Sequence, residues 1–365
     1  MKELTIPTSN FESRDYRLDI LKATSIIFIL FWHLKPLEIS LIKETERNIL
    51  CKFSTYLLYE FFYKQITLVA VPTFIVVSLF LFYGKLSQKK EYFKSRMNRL
   101  IELFVFWTII QAAFYLILKI LIHFEKLYLT LPNLSFIGFI VNGGPSLPIV
   151  GGSVFYFIFV LIWLTILLFI YNKLNDKIKN PLGFVIIIFF LIYFQTTSFL
   201  NEKIPYWRLD NFIIYIPIVY LLKNSERVLN FKYIYLLCFL LFSIQDILLR
   251  TKFQYNLAAY GRASIFFGAL TFLSFIMSYD FNKMKQYILF LSKYSLGIFA
   301  IHKYWQLFFN IFYKNLFSLF GIQETINFLN MRIGMLSVIV GIMTIASTII
   351  SAYLLSLTFL KRYIL

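Results

Sequence analysis

Three groups of residues in this 365-residue chain combine types and spacings that suit chemistry. The first lies in one apolar stretch, Arg17-Leu-Asp19-Ile-Leu-Lys22 followed by ten residues and His33. In a helix the eleven steps from Lys22 to His33 rise about 16 Å and return within about 20° of the same direction, with Asp19 within about 60° of Lys22. One helix face would therefore carry a carboxylate, an ammonium and then an imidazole deep in apolar surroundings. An imidazole exchanges protons near neutral pH, the requirement for general acid–base work. The second group is Arg96-Met-Asn-Arg99, whose i,i+3 spacing sets two guanidinium forks side by side for bidentate binding of phosphate oxygens. The third is His302, in the mostly apolar run Tyr294-Ser-Leu-Gly-Ile-Phe-Ala-Ile-His302.

Each group has a plainer reading. Lys22 can snorkel to a membrane surface, and His33 can bond a neighbouring helix or sit at an interface beside Trp32. His302 can be a packed polar residue bonded between helices. Lys85, Lys89, Lys90 and Lys94 read as an ordinary basic loop, and His123, beside Glu125 and Lys126, as solvated. Glycine-rich phosphate loops, Gly-x-Ser-x-Gly elbows and His-Glu-x-x-His are absent, and three histidines in all argue against a bound metal.

The elements that must hold these residues follow from composition. The chain is 59% hydrophobic and 15% charged, against about 45–50% and about 25% in soluble domains. That excludes a soluble globular enzyme and a disordered chain. Two distant cysteines, Cys51 and Cys238, exclude a disulfide scaffold. The net charge of +18 would suggest nucleic acid in a soluble protein; here it reports membrane topology, and no nucleic-acid partner is expected. Continuous apolar blocks fall at 18–35, 66–83, 100–121, 154–171, 182–200, 208–222, 233–249, 263–279, 288–312 and 335–359. A span needs about 20 such residues, so the expected fold class is all-α, a polytopic membrane protein of about ten transmembrane helices. The sixth block is the weakest, short and holding Pro217. The stretch Tyr56, Leu57, Leu58, Phe61, Phe62 suits an interfacial segment.

Residues 1–17 are polar, with no apolar signal-peptide core, and read as a cytoplasmic segment ahead of a retained first helix. Basic residues at Lys2–Lys22, Lys85–Arg99, Lys173–Lys179, Lys223–Lys232, Lys283–Lys293 and Lys361–Arg362 alternate between successive blocks. The bias puts these segments and both termini in the cytoplasm, with an even helix count. Without repeats or low-complexity tracts, residues 1–365 read as a single membrane domain.

In order along the chain, these residues resemble the acyltransferase-3 family of integral membrane acyltransferases. Lys22 with His33 resembles its opening Arg-x10-His signature, and Val71-Pro-Thr-Phe-Ile-Val-Val-Ser78 its Phe-Phe-x-x-Ser-Gly stretch. Arg96-Met-Asn-Arg99 matches its Arg-x-x-Arg motif. Ser153-Val-Phe-Tyr-Phe157 stands in the place of its Trp-Phe-Leu segment, and Ser295-Leu-Gly-Ile-Phe-Ala-Ile-His302 is similar to its Leu-Gly-x-Tyr-x-x-His segment. The chain departs from the family at Lys22 (usually arginine), at Leu79 (usually glycine) and at the missing tryptophan.

The resemblance implies a multi-pass bacterial inner-membrane enzyme, an acyltransferase moving groups other than aminoacyl ones. Its donor would be acetyl-CoA and its acceptor a sugar hydroxyl on a surface polysaccharide, an exopolysaccharide or a lipid-linked glycan precursor. Arg96 and Arg99 would then meet the coenzyme A phosphates. His33 would serve as general base or as acyl carrier, with Lys22 and Asp19 positioning it or stabilising charge and His302 as a further catalytic candidate. The competing reading is a transporter or flippase for a glycan or lipid-linked sugar, which intramembrane histidines also suit.

Overall fold

The computed structural model describes residues 15–35, 39–41, 57–86, 91–122, 154–202, 204–225, 227–279, 281, 286–320, 325–328 and 331–365. His123, Cys51, Lys89, Lys90, Ser153 and the glycine-rich stretch 142–152 lie outside them.

Each of the ten apolar blocks coincides with a helix. These are α1 (Tyr16–Leu34), α2 (Leu57–Leu86), α3 (Tyr92–Ile122), α4 (Tyr156–Lys173), α5 (Asp176–Phe199), α6 (Tyr215–Asn224), α7 (Lys232–Thr251), α8 (Ala263–Met277), α9 (Gln286–Phe320) and α10 (Met335–Ser356). Five of them, α2, α4, α5, α7 and α10, are long and apolar enough to cross a membrane. The weak sixth block is a single 3-10 turn (Leu209–Asn211) followed by the ten-residue α6. From Leu57 on, the stretch read as interfacial is helical and continuous with the second block: α2 runs back to Leu57 through a π-helical turn at Phe62–Ile66 and a 3-10 turn at Thr67–Val69. Such tightened and widened turns re-aim side chains and recur at functional sites.

Three short strands join the helices: β1 (Ile39–Leu41), β2 (Thr325–Phe328) and β3 (Met331–Gly334), antiparallel in the order β1-β3-β2. Ile39 and Ile326 both pair with Ile333. The sheet thus ties the chain just after α1 to the connection between α9 and α10. A final helical turn, Lys361–Ile364, packs back against α9 and α10.

The outward faces are apolar. On α5, Phe184 is 65% exposed and Ile192 61% exposed, with Val185, Ile188 and Phe189 between them; α7 presents Leu237, Leu241, Ile244 and Leu248 in the same way. In water such stripes would be aggregation sites; in hydrocarbon they are the solvated surface. Some helix hydroxyls bond the backbone: Thr73, Thr165 and Thr271 each donate to the carbonyl four residues back. That is how a helix carries threonine where no water can reach it.

Candidate active site

α1 starts where Asp15 caps it, its carboxylate accepting the Arg17 amide at 3.0 Å. It ends at Lys35, in the left-handed conformation with φ 41°. Between these caps Leu21, Ile26, Ile29 and Leu30 are buried, and α1 packs against α2, α8 and α9. Asp19 is buried as well, and accepts a hydrogen bond from the Ser292 hydroxyl of α9. A buried carboxylate needs such partners.

Asp19 and Lys22 open onto a cavity of about 480 Å³ between α1, α2, α3, α4 and α9, within the usual range of ligand pockets, about 300–1,000 Å³. Arg96, Arg99, Lys293, Ser78, Tyr92 and Ser295 share its walls. Arg96 is held by Ser78, whose hydroxyl accepts from Nη2 at 2.6 Å, and its guanidinium lies over the Phe82 ring at 5.6 Å. Serine at the end of the Val71–Ser78 stretch is therefore what aims the arginine. Nε of Arg96 and Nη1 of Arg99 are buried and meet no acceptor. Four cations in the walls, with buried guanidinium nitrogens that meet no acceptor, give this cavity chemistry suited to an anion. The C-terminal turn closes one side. Leu365 lines the cavity, Trp107 donates to the Tyr363 carbonyl at 3.2 Å, and Phe106 stacks on the Tyr363 ring.

The two membrane histidines, separated by most of the chain, come together. Their ring centroids are 5.0 Å apart. His302 is fully buried, and its Nδ1 lies 2.7 Å from the Phe299 carbonyl oxygen. A carbonyl oxygen can only accept a hydrogen bond, so Nδ1 carries the proton, and Nε2 keeps the lone pair with no hydrogen-bond partner. α1 is fixed to α9 at this level by Gln306, whose amide donates to the His33 carbonyl at 2.7 Å and whose oxygen accepts from Lys303 at 2.9 Å.

Of the six sequence candidates, Asp19, Lys22, Arg96 and Arg99 line one cavity, while His33 and His302 form the ring pair. The axial rise along α1 keeps the two groups apart, so Lys22 and Asp19 do not touch the His33 imidazole. An aromatic partition stands between them: Phe157 lines the cavity and meets the Phe299 ring at 5.4 Å, and Phe299 meets His302 at 6.0 Å. Beyond the pair lies a second cavity of about 320 Å³, walled by Gln111, Phe114, Phe155, Lys303, Tyr304, Gln306 and Asn310. Neither imidazole is among the residues that line either cavity; the Phe299 ring links His302 to the first, and Lys303, the next residue, lines the second.

Sequence reasoning missed a second buried polar cluster. Arg262, with no exposed surface, donates to Asp246 at 2.7 Å, and Ser264 and Gln65 also donate to that carboxylate. The available signal was Asp246, a lone carboxylate in an otherwise apolar block. Among the described residues no group of three or more His, Cys, Asp or Glu could hold a metal ion.

The family model described as an acyltransferase domain, that of acyltransferase-3, matches residues 15–356, nearly the whole chain. The chain belongs to the acyltransferase-3 family. No curated protein and no solved structure matches it. Membership, with apolar helices long enough to cross a bilayer, makes this a membrane acyltransferase. It also favours acyl transfer over the transport reading, since the match covers the histidine pair and every residue lining the two cavities except Leu365. In this acyltransferase the family-like motifs converge. Ser78 closes the second motif onto Arg96 of the third, Phe157 of the fourth partitions the cavity from Phe299, and His302 of the fifth pairs with His33 of the first.

Proposed function

We propose that the protein is a bacterial inner-membrane O-acetyltransferase that carries an acetyl group from acetyl-CoA to a sugar hydroxyl of a surface polysaccharide, an exopolysaccharide or a lipid-linked precursor. The observation that carries this reading is the histidine pair, joined through the Phe299 and Phe157 rings to the cationic cavity. Ten membrane helices with both termini in the cytoplasm would put the Arg96 side inside, where acyl-CoA is, and the Gln306 side outside. The polyanionic coenzyme meets Arg96, Arg99, Lys22 and Lys293, and its thioester arm extends toward the Phe157–Phe299 partition.

In the transfer, the acceptor oxygen forms a bond to the thioester carbonyl carbon and gives its proton to an imidazole. The C–S bond breaks as the tetrahedral adduct collapses, and the imidazolium returns the proton to the departing thiolate, giving ester and free coenzyme A. Nε2 of His302 is the base this geometry supports, and His33 the ring beside it. The His302 imidazole is held by its bond to the Phe299 carbonyl, and the His33 backbone by the Gln306 amide. Purified protein in nanodiscs should release coenzyme A from acetyl-CoA when an acceptor glycan is added. Thioester left intact with every glycan of the host envelope would refute the reading.

A further inference from the structure

The π-helical turn of α2, Phe62–Ile66, is tied to a buried ion pair supplied by two other helices. Asp246 lies on α7, and Arg262 stands at the residue where α8 begins. Arg262 donates Nη1 to Asp246 at 2.7 Å and Nη2 to the Lys64 carbonyl at 2.8 Å. The Gln65 side-chain amide donates to the same Asp246 oxygen at 3.4 Å. Both partners of the ion pair therefore hold the turn, at consecutive residues. The Ser264 hydroxyl on Asp246 and the Ala259 carbonyl under Arg262 complete the arrangement.

Net stability is a poor reason to keep such a pair. Apolar side chains of similar volume often serve a fold as well or better, and the best-attested use of a buried polar pair is to fix register. Register is what a π-helical turn changes. Its one extra residue offsets the chain before it by about 100° from α-helical continuation. The offset bears on α1: Phe62 meets the Phe31 ring edge-on at 5.8 Å, and Lys64 Nζ lies 5.1 Å from the centre of the Trp32 ring. Phe31 and Trp32 are the two residues before His33. On α9, Gln306 donates to the His33 carbonyl at 2.7 Å, and the His302 ring lies 5.0 Å from that of His33. The last turn of α1 is thus gripped by α9 and by the π-helical turn.

We propose that Arg262 and Asp246 are positioning residues for acyl transfer: they lock the π-helical turn of α2, which braces the last turn of α1 and so fixes His33 against His302. This rests on the acyl-transfer reading above and goes beyond it, giving the buried pair a part in the geometry of the histidine site.

The test uses the full chain in nanodiscs, with de-O-acetylated envelope glycan of the host as acceptor. Asp246→Leu/Arg262→Met replaces the pair without stranding a charge, and Phe62→Leu leaves the pair intact but removes the ring on Phe31. The double variant should unfold within a few degrees of wild type and bind acetyl-CoA as tightly. Its kcat should fall about 10–100-fold, as a misplaced reacting group predicts. Hydrogen exchange should quicken at residues 62–69 and also at 28–34, on α1. Phe62→Leu should lower kcat too, and the triple variant should fall little further, since both changes act through one contact. Unchanged kcat in the double variant, exchange at 28–34 that stays at the wild-type rate, or additive losses in the triple variant would overturn the proposal. So would a double variant that fails to fold, which would make the pair a stability element, or one that loses acetyl-CoA affinity, which would place its effect in the cationic cavity. A wild type that releases no coenzyme A would refute the acyl-transfer reading, while hydrogen exchange still decides whether the pair braces α1.

Discussion

Nδ1 of His302 donates a hydrogen bond to the Phe299 carbonyl, which leaves Nε2 as the nitrogen with a lone pair. Removing the imidazole removes the base but leaves the cationic cavity whole. His302→Ala and His33→Ala should therefore lower acetyl transfer by about 10²–10⁴-fold, the usual worth of general acid–base catalysis, with acetyl-CoA affinity nearly unchanged in an equilibrium binding measurement. Arg96→Ala should do the reverse, raising the KM for acetyl-CoA roughly tenfold or more through a lost charged hydrogen bond. Arg96→Lys should recover only part of it, because an ammonium cannot fork; steady-state kinetics separates the cases. At this scale the sequence singled out Asp19, Lys22, Arg96 and Arg99, which line one cavity, although it grouped Asp19 and Lys22 with His33 instead of with the arginines. Two things were hidden. The meeting of His33 with His302 joins α1 to α9, a contact that no local spacing encodes. Phe157 and Phe299, apolar residues among many, gained meaning only by standing between cavity and imidazole.

Among the elements, α9 carries the most. It supplies Ser292 to Asp19, His302 to His33 and Lys303 to the second cavity, and at Gly297 it lets the C-terminal turn approach. A Cβ at Gly297 would fall 2.6 Å from Ile364 Cγ2 and 3.3 Å from the Ile364 carbonyl oxygen. Gly297→Val should therefore destabilise the protein by about 1–3 kcal/mol and shift the turn that places Leu365 in the cavity wall. Thermal unfolding in detergent would register the first effect and acetyl-CoA affinity the second. Asp246→Ala is expected to be worse, about 3–5 kcal/mol, since it strands the buried Arg262 charge; adding Arg262→Met should restore much of that. The apolar blocks made the helices legible because period and length survive tertiary packing. The π-helical turn of α2 and the three-stranded sheet were not legible. The turn is stabilised by Arg262 from across the fold, and the strands pair residues far apart in sequence.

For the molecule as a whole, the distribution of charge sets both orientation and chemistry. On the proposed orientation, the net +18 divides into loop cations that would set topology and a few cations that line the cavities. In a background lacking Cys51 and Cys238, a cysteine replacing Gln254 should react with an impermeant thiol reagent added outside intact cells, and one replacing Lys177 should not. The reverse pattern would invert the protein and part the cationic cavity from cytoplasmic acyl-CoA. The central claim, that the histidine pair moves an acyl group from coenzyme A to a glycan, is tested most directly by O-acetyl content. The measurement is the O-acetyl content of envelope glycan from host cells making wild-type, His33→Ala or His302→Ala protein at equal membrane levels. The account predicts that the O-acetyl groups present with wild type are lost with either variant. O-acetyl content that stays at the wild-type level in both variants would contradict it.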